Sequence, residues 1–282
     1  MKPLLIIWIL FFGLKSNCQV APQTRGKLFI IGGGTSSSVL ILKLIKTARL
    51  NKKDHIAILP MAGEEPDSSY YYVKTQLQNF CDNVIANLNF TTDKLNDKQW
   101  LDSIKHAKLI FITGGDQSRF MKLVLKSPLY AAIHTAYKNG STIAGTSAGA
   151  AVMCKHMITG NQLLGDTTYT ETFDKLWNNN IEFGEGLGLL KSVIIDQHFV
   201  VRSRYNRLLS ALAKFPDFIS IGIDESAAII VDQNKITVAG EGQVVKLCCP
   251  KKLPAKTTNS LIKFEDALLS IYTSGDSFEI KR

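Results

Sequence analysis

From Lys27 onward, short unbroken apolar runs alternate with longer stretches in which apolar residues recur at helical spacing. Lys27–Ile31, His55–Pro60, Val84–Phe90 and Leu109–Ile112 read as strands, as do Thr142-Ile143-Ala144 and Val193-Ile194-Ile195. Val39–Leu50, Tyr70–Asp82, Asp97–Ala107 and Ser127–Asn139 have the helical period. Apolar strands separated by amphipathic helices predict an α/β fold, a mostly parallel central sheet covered on both faces to make three layers. After Ile219 the helical pattern thins out. Ala227–Val231, Ile236-Thr237-Val238 and Leu269–Tyr272 then predict an antiparallel C-terminal extension. No linker or repeat interrupts the pattern, so residues 19–282 are read as one α/β domain.

The first residues follow a different rule. Lys2 supplies a positive start, Leu4 to Leu14 is almost wholly apolar, and Ser16-Asn17-Cys18 offers small residues at a cleavage site. Residues 1–18 are therefore expected to be a signal peptide, too short for a stable membrane span, with the mature chain starting at Gln19 and exported to the periplasm or the medium. A lipid-modified Cys18 is the alternative. Of five cysteines, Cys81, Cys154, Cys248 and Cys249 then remain, without metal-ligand spacing. They are expected as free thiols, with the adjacent pair pointing to opposite faces of a strand.

Composition changes little. A chain of 282 residues that is 45% hydrophobic can bury a full core. Its net charge is +9, but the basic residues are scattered, which argues against nucleic acid as a partner.

In a sheet of this kind ligands gather outside the carboxyl ends of the strands, so the loops there carry the chemistry. Gly145-Thr146-Ser147-Ala148-Gly149 follows one strand. Its glycines allow a sharp strand-to-helix turn that lifts the Ser147 hydroxyl out, the geometry of a nucleophilic serine. Gly114-Gly115-Asp116-Gln117 follows another; it is either an oxyanion-binding loop or a glycine turn in which Asp116 caps a helix. Gly32-Gly33-Gly34 lacks the G-x-G-x-x-G spacing of a dinucleotide site and reads as a tight turn at a strand end.

Asp196-Gln197-His198-Phe199 closes the Val193 strand. Of the five histidines only His198 stands at a strand's carboxyl end in a polar cluster, where imidazole can serve a serine as base. Arg202, Arg204 and Arg207 follow, suited either to carboxylate recognition or to internal ion pairing. Ile221-Gly222-Ile223 ends in Asp224-Glu225, and either carboxylate could orient the imidazole.

Taken in order, Thr113–Gln117, Gly145–Gly149, Asp196–Phe199 with its three arginines, and Gly222–Glu225 resemble the motifs of cyanophycinases, serine peptidases related to bacterial aspartyl dipeptidases. The likeness runs from about Lys27 to the C-terminus and includes Pro60-Met61-Ala62 and Gly186–Leu189. It implies a flavodoxin-like, class I glutamine amidotransferase-like sandwich. It implies Ser147 as nucleophile, His198 as base and Glu225 as its partner, with an oxyanion hole from the backbone of Ala148, Gly115 and Asp116. Gln117, Asp196, Gln197, Arg202, Arg204 and Arg207 would face the substrate. Asp196 and Gln117 would offer acceptors to a guanidinium there, and the arginines fork-shaped donors to a carboxylate.

The implied activity is release of β-aspartyl-arginine dipeptides from an Asp-Arg polymer, by a homodimer with no metal or cofactor. An aspartyl or β-aspartyl dipeptidase acting on small peptides is the alternative, and a catalytically silent binding protein on the same scaffold a third reading. Ser203 and Asn206 stand where such enzymes often carry glycine, and the loop after Gly34 lacks the acidic residue often found there. The order Ser, His, Glu also differs from that of ordinary α/β-hydrolases.

Overall fold

A computed structural model describes residues 26–168, 170–173, 175–253 and 260–280. The expected signal peptide lies outside these residues. Among the described residues no helix is long and apolar enough to cross a membrane.

Eight strands form the main sheet in the order β14-β11-β10-β1-β5-β4-β2-β3. Five run parallel: β1 (Lys27–Ile31), β2 (His55–Leu59), β3 (Val84–Asn87), β4 (Leu109–Ile112) and β5 (Thr142–Thr146). β10 (Ala227–Asp232), β11 (Lys235–Gly240) and β14 (Ser277–Glu279) extend it antiparallel beyond β1. Alternation along β1 shows why both faces are covered. Phe29 and Ile31 pack on one side with Leu40, Leu44, Val73 and Leu77, from α1 (Ser38–Ala48) and α2 (Pro66–Gln78). Leu28 and Ile30 pack on the other with Leu101 and Ile104 of α3 (Lys98–His106), Phe120 of α4 (Gln117–Val124) and Ile133 of α5 (Pro128–Lys138). This is the three-layer α/β arrangement that the apolar pattern predicts.

Two features depart from it. The Val193 strand does not join the main sheet. As β8 (Val193–Gln197) it pairs in parallel with β9 (Ile219–Ile223) in a second, four-stranded sheet ordered β13-β12-β9-β8. The Leu269 strand, β13 (Leu268–Tyr272), goes there too, on β12 (Val244–Cys248), instead of extending the main sheet. An antiparallel pair, β6 (His156–Gln162) and β7 (Ile181–Glu185), fills the region between β5 and β8, which carries no clear period. α2 starts four residues before the Tyr70 expected, because Pro66 supplies a ready first turn.

Cys81, Cys154, Cys248 and Cys249 form no disulfide among the described residues. Cys248 and Cys249 do not point to opposite faces; their sulfurs lie 3.2 Å apart, because Cys249 turns out of the strand at φ 59°.

Candidate active site

The carboxyl ends of β1, β4 and β5 meet those of β8 and β9 at one place. The register sets Ile31 of β1 beside Thr146 of β5, so the next residue, Ser147, donates its N–H to the Ile31 carbonyl at 3.1 Å. Ser147 then takes φ 53°, ψ −112° and leads into α6 (Ala148–Ala151). A non-glycine residue held there is strained, and the surrounding packing maintains it. The flanking glycines answer to contact. A Cβ on Gly145 would lie 2.3 Å from the Gly149 carbonyl oxygen, and one on Gly149 would lie 2.2 Å from that of Ile112.

The second sheet brings the imidazole. His198 donates its N–H to the Gly32 carbonyl at 2.8 Å, and Ser226 donates to Gly33 at 3.1 Å, so β8 and β9 are both tied to the end of β1. His198 Nε2 lies 2.8 Å from Ser147 Oγ, and His198 Nδ1 lies 2.5 Å from Glu225 Oε1. The choice between two carboxylates is thereby made by position. Asp224 accepts instead from Val200 N–H (3.0 Å) and Val201 N–H (3.1 Å), holding the turn after His198. Gly32–Gly34 is more than a turn. A Cβ on Gly33 would lie 2.3 Å from His198 Cε1, and one on Gly34 would lie 2.7 Å from Glu225 Oε2, so the glycines make room for both side chains.

Burial lowers the His198 pKa below its ordinary value; the Glu225 hydrogen bond works against this, and the charges of Arg202 and Arg204 reinforce it. The imidazole is therefore neutral at neutral pH and able to accept a proton from Ser147.

The oxyanion donors differ from expectation in one residue. The N–H groups of Ala148 and Gly115 have no acceptor among the described residues and remain available. Asp116 is already committed. Its N–H donates to Ala62 O at 2.8 Å, and its carboxylate caps α4 by accepting from Ser118 N–H (2.7 Å) and Arg119 N–H (3.1 Å). Gly115 sits at φ +134°, where a Cβ would lie 2.1 Å from Ala62 O; this close approach fixes the loop.

A polar cleft of about 580 Å³ opens beside Ser147. Gln117, Gln197, Arg202, Arg204 and Arg207 line it, together with Thr159, Gly160 and Asn161 from β6. A second cleft of about 380 Å³, with Tyr72, Val73 and Phe111 in its wall, reaches the same serine from the other flank.

Asp196 is not a substrate-facing acceptor. It is fully buried, with Oδ1 taken by Arg207 Nη2 (2.8 Å) and Gln197 N–H (2.9 Å). Gln197 Oε1 accepts from Arg204, whose Nη1 also donates to the Gln197 carbonyl at 2.9 Å. Gln117 donates Nε2 to Ile158 O (3.1 Å) and Thr159 O (2.6 Å), which leaves Oε1 as the atom it can offer a ligand. Glu171, in the segment between β6 and β7, was not singled out by sequence reasoning. It accepts from Arg202 Nη1 (3.2 Å) and Arg204 Nη2 (2.9 Å). Neither period nor motif marks it. Ser203 takes φ 50°, the conformation that glycine adopts without strain, so it keeps a glycine-like path between the arginines.

Residues 28–239 match peptidase family S51. The chain is 31% identical over 277 residues to a cyanophycinase of Trichormus variabilis, covering 94% of this chain and 90% of that one. It is 40% identical over 150 residues to a cyanophycinase of Geminocystis herdmanii, covering 52% of each. In fold it is similar to a peptidase from an acI-B1 Actinobacterium, with TM-score 0.62, 21% identity, and coverage of 92% of this chain and 98% of that one.

Proposed function

The chain belongs to peptidase family S51 and is a serine-type peptidase, and from that premise we propose that it is an exported cyanophycinase-like enzyme. It cuts the α-peptide bonds of a poly-aspartate backbone and releases β-aspartyl-arginine dipeptides. One observation carries the reading: the continuous Ser147–His198–Glu225 chain of contacts, 2.8 and 2.5 Å long, at the foot of a cleft lined by arginines.

In this mechanism His198 Nε2 takes the Ser147 proton as Oγ attacks the scissile carbonyl carbon. Glu225 holds Nδ1–H and stabilises the imidazolium that forms. The N–H groups of Gly115 and Ala148 receive the oxyanion. The carbon–nitrogen bond then breaks, and His198 passes its proton to the leaving amine. A water molecule, deprotonated by His198, attacks the acyl ester, and Ser147 recovers its proton.

An Asp-Arg unit carries a guanidinium and a carboxylate. Arg202 and Arg204 offer fork-shaped donors for the carboxylate, and Gln117 Oε1 offers an acceptor for the guanidinium. The test is to incubate the purified mature protein with cyanophycin, and separately with β-Asp-Arg, and identify the products by mass. Release of the dipeptide from polymer is expected. Hydrolysis of the dipeptide with polymer left intact would replace this reading with a dipeptidase.

Export follows from Lys2, the apolar run and Ser16-Asn17-Cys18. N-terminal sequencing from the native host should begin at Gln19; an intact Met1 in the cytosol would refute export, and an acylated Cys18 would assign a lipoprotein. Light scattering at twice the chain mass would support a homodimer.

A further inference from the structure

The guanidiniums lining the polar cleft already have anionic partners. Arg207 is paired with Asp196, and Arg202 and Arg204 both rest on Glu171. A ligand carboxylate can take the donor atoms that these acids hold only by displacing one of them. The two are not equally displaceable. Asp196 is fully buried, and separating it from Arg207 would leave an unpaired charge away from water. Glu171 is 48% exposed and itself lies outside regular secondary structure, so water can take over its carboxylate as a ligand takes its place on the arginines, an exchange that buried Asp196 does not permit. Arg204 would meanwhile stay fixed by the carbonyl and side chain of Gln197.

We infer that Glu171 is a specificity-determining residue, an internal carboxylate that occupies the Arg202–Arg204 pair and yields it to the carboxylate of the incoming substrate. This deepens the proposed function and rests on it. Glu171 then sets a threshold. A ligand carrying a carboxylate competes for the two guanidiniums, whereas a ligand without one leaves Glu171 in place.

The test compares β-Asp-Arg whose aspartyl α-carboxyl is capped as an amide, so that arginine holds its one free carboxylate, with the same capped unit ending in an arginine carboxamide, by calorimetric titration. Ser147→Ala protein is used so that nothing turns over. Adding Glu171→Gln should tighten binding of the carboxylate form by roughly fivefold, the scale of a half-exposed ion pair, and leave the carboxamide unchanged. Glu171→Ala should do the same, and the thermal midpoint checks that both variants are folded. An unchanged affinity ratio, or equal weakening of both ligands, makes Glu171 a structural tie and overturns the inference. Selective weakening of the carboxylate form overturns it as well. Should Ser147→Ala protein with Glu171 intact bind neither ligand, the cyanophycin reading fails and the Glu171 inference falls with it. Binding with an unaltered ratio sinks the Glu171 inference alone.

Discussion

Arg207→Met has an effect on stability that can be worked from the contacts around Asp196. Arg207 and Asp196 are 3% and 0% exposed, and their closest atoms lie 2.8 Å apart. Methionine replaces much of the arginine stem but donates no hydrogen bond. Asp196 would keep the Gln197 N–H at 2.9 Å and an Arg204 nitrogen at 3.9 Å, while its other oxygen is already buried without a partner. Removing one member of a buried pair costs about 3–5 kcal/mol, and the residual Arg204 attraction places this case toward the lower end. For a chain of this size each kcal/mol moves the midpoint by about 2–4 °C, so a fall of about 6–15 °C is expected. Thermal and urea unfolding of Arg207→Met, Asp196→Asn and the double variant measure it. The double variant should recover part of the loss, with a coupling energy of about 2 kcal/mol, because it leaves neither charge unpaired. A midpoint within about 2 °C of the parent, or strictly additive effects, would refute the reasoning. Arg207 would then be available to bind substrate.

Four further outcomes are expected. Ser147→Ala should fold and bind substrate while turnover falls by several orders of magnitude, as loss of a triad member does; near-parental turnover by the folded variant would end the serine mechanism. Because burial holds His198 below its ordinary value of 6.5, kcat/KM should be level at neutral pH and fall only below pH 6.5, as protonation removes the base. Glu225→Gln removes the carboxylate charge that raises this pKa and makes the hydrogen bond to Nδ1 charge-assisted, so the acid limb should move to lower pH while the plateau drops on the order of 10⁴-fold; a shift to higher pH would contradict the assigned contact. Gly33→Ala places a Cβ 2.3 Å from the His198 ring at φ +120° and should lower kcat by about 10²-fold or more; stopped assays giving kcat within twofold of the parent would show that the ring does not need this seat.

The sequence by itself determined the parallel sheet, the strand-end loops and two of the side chains that matter most. Apolar runs and helical spacing are local signals, and a strand's carboxyl end is defined by the chain alone, so Ser147 and His198 stood out before any contact was known. The glycine spacing around Ser147 was legible for the same reason, since a tight turn is built from neighbouring residues.

Tertiary structure decided which atoms are still available. Asp116 has the residue type and position of an oxyanion-loop member, but its N–H is taken by Ala62, which is distant in sequence. Asp196 looks like a substrate acceptor until Arg207, one helix later, is seen to cover it. The pairing of β8 with β9 rather than with the main sheet, and the arrival of Glu171 at the arginines, likewise depend on contacts between remote segments. Period and spacing report how a residue relates to its neighbours along the chain. Hydrogen-bond partners and burial depend on what the folded chain brings alongside, and these separate the groups free to act on a substrate from those that hold the site in shape.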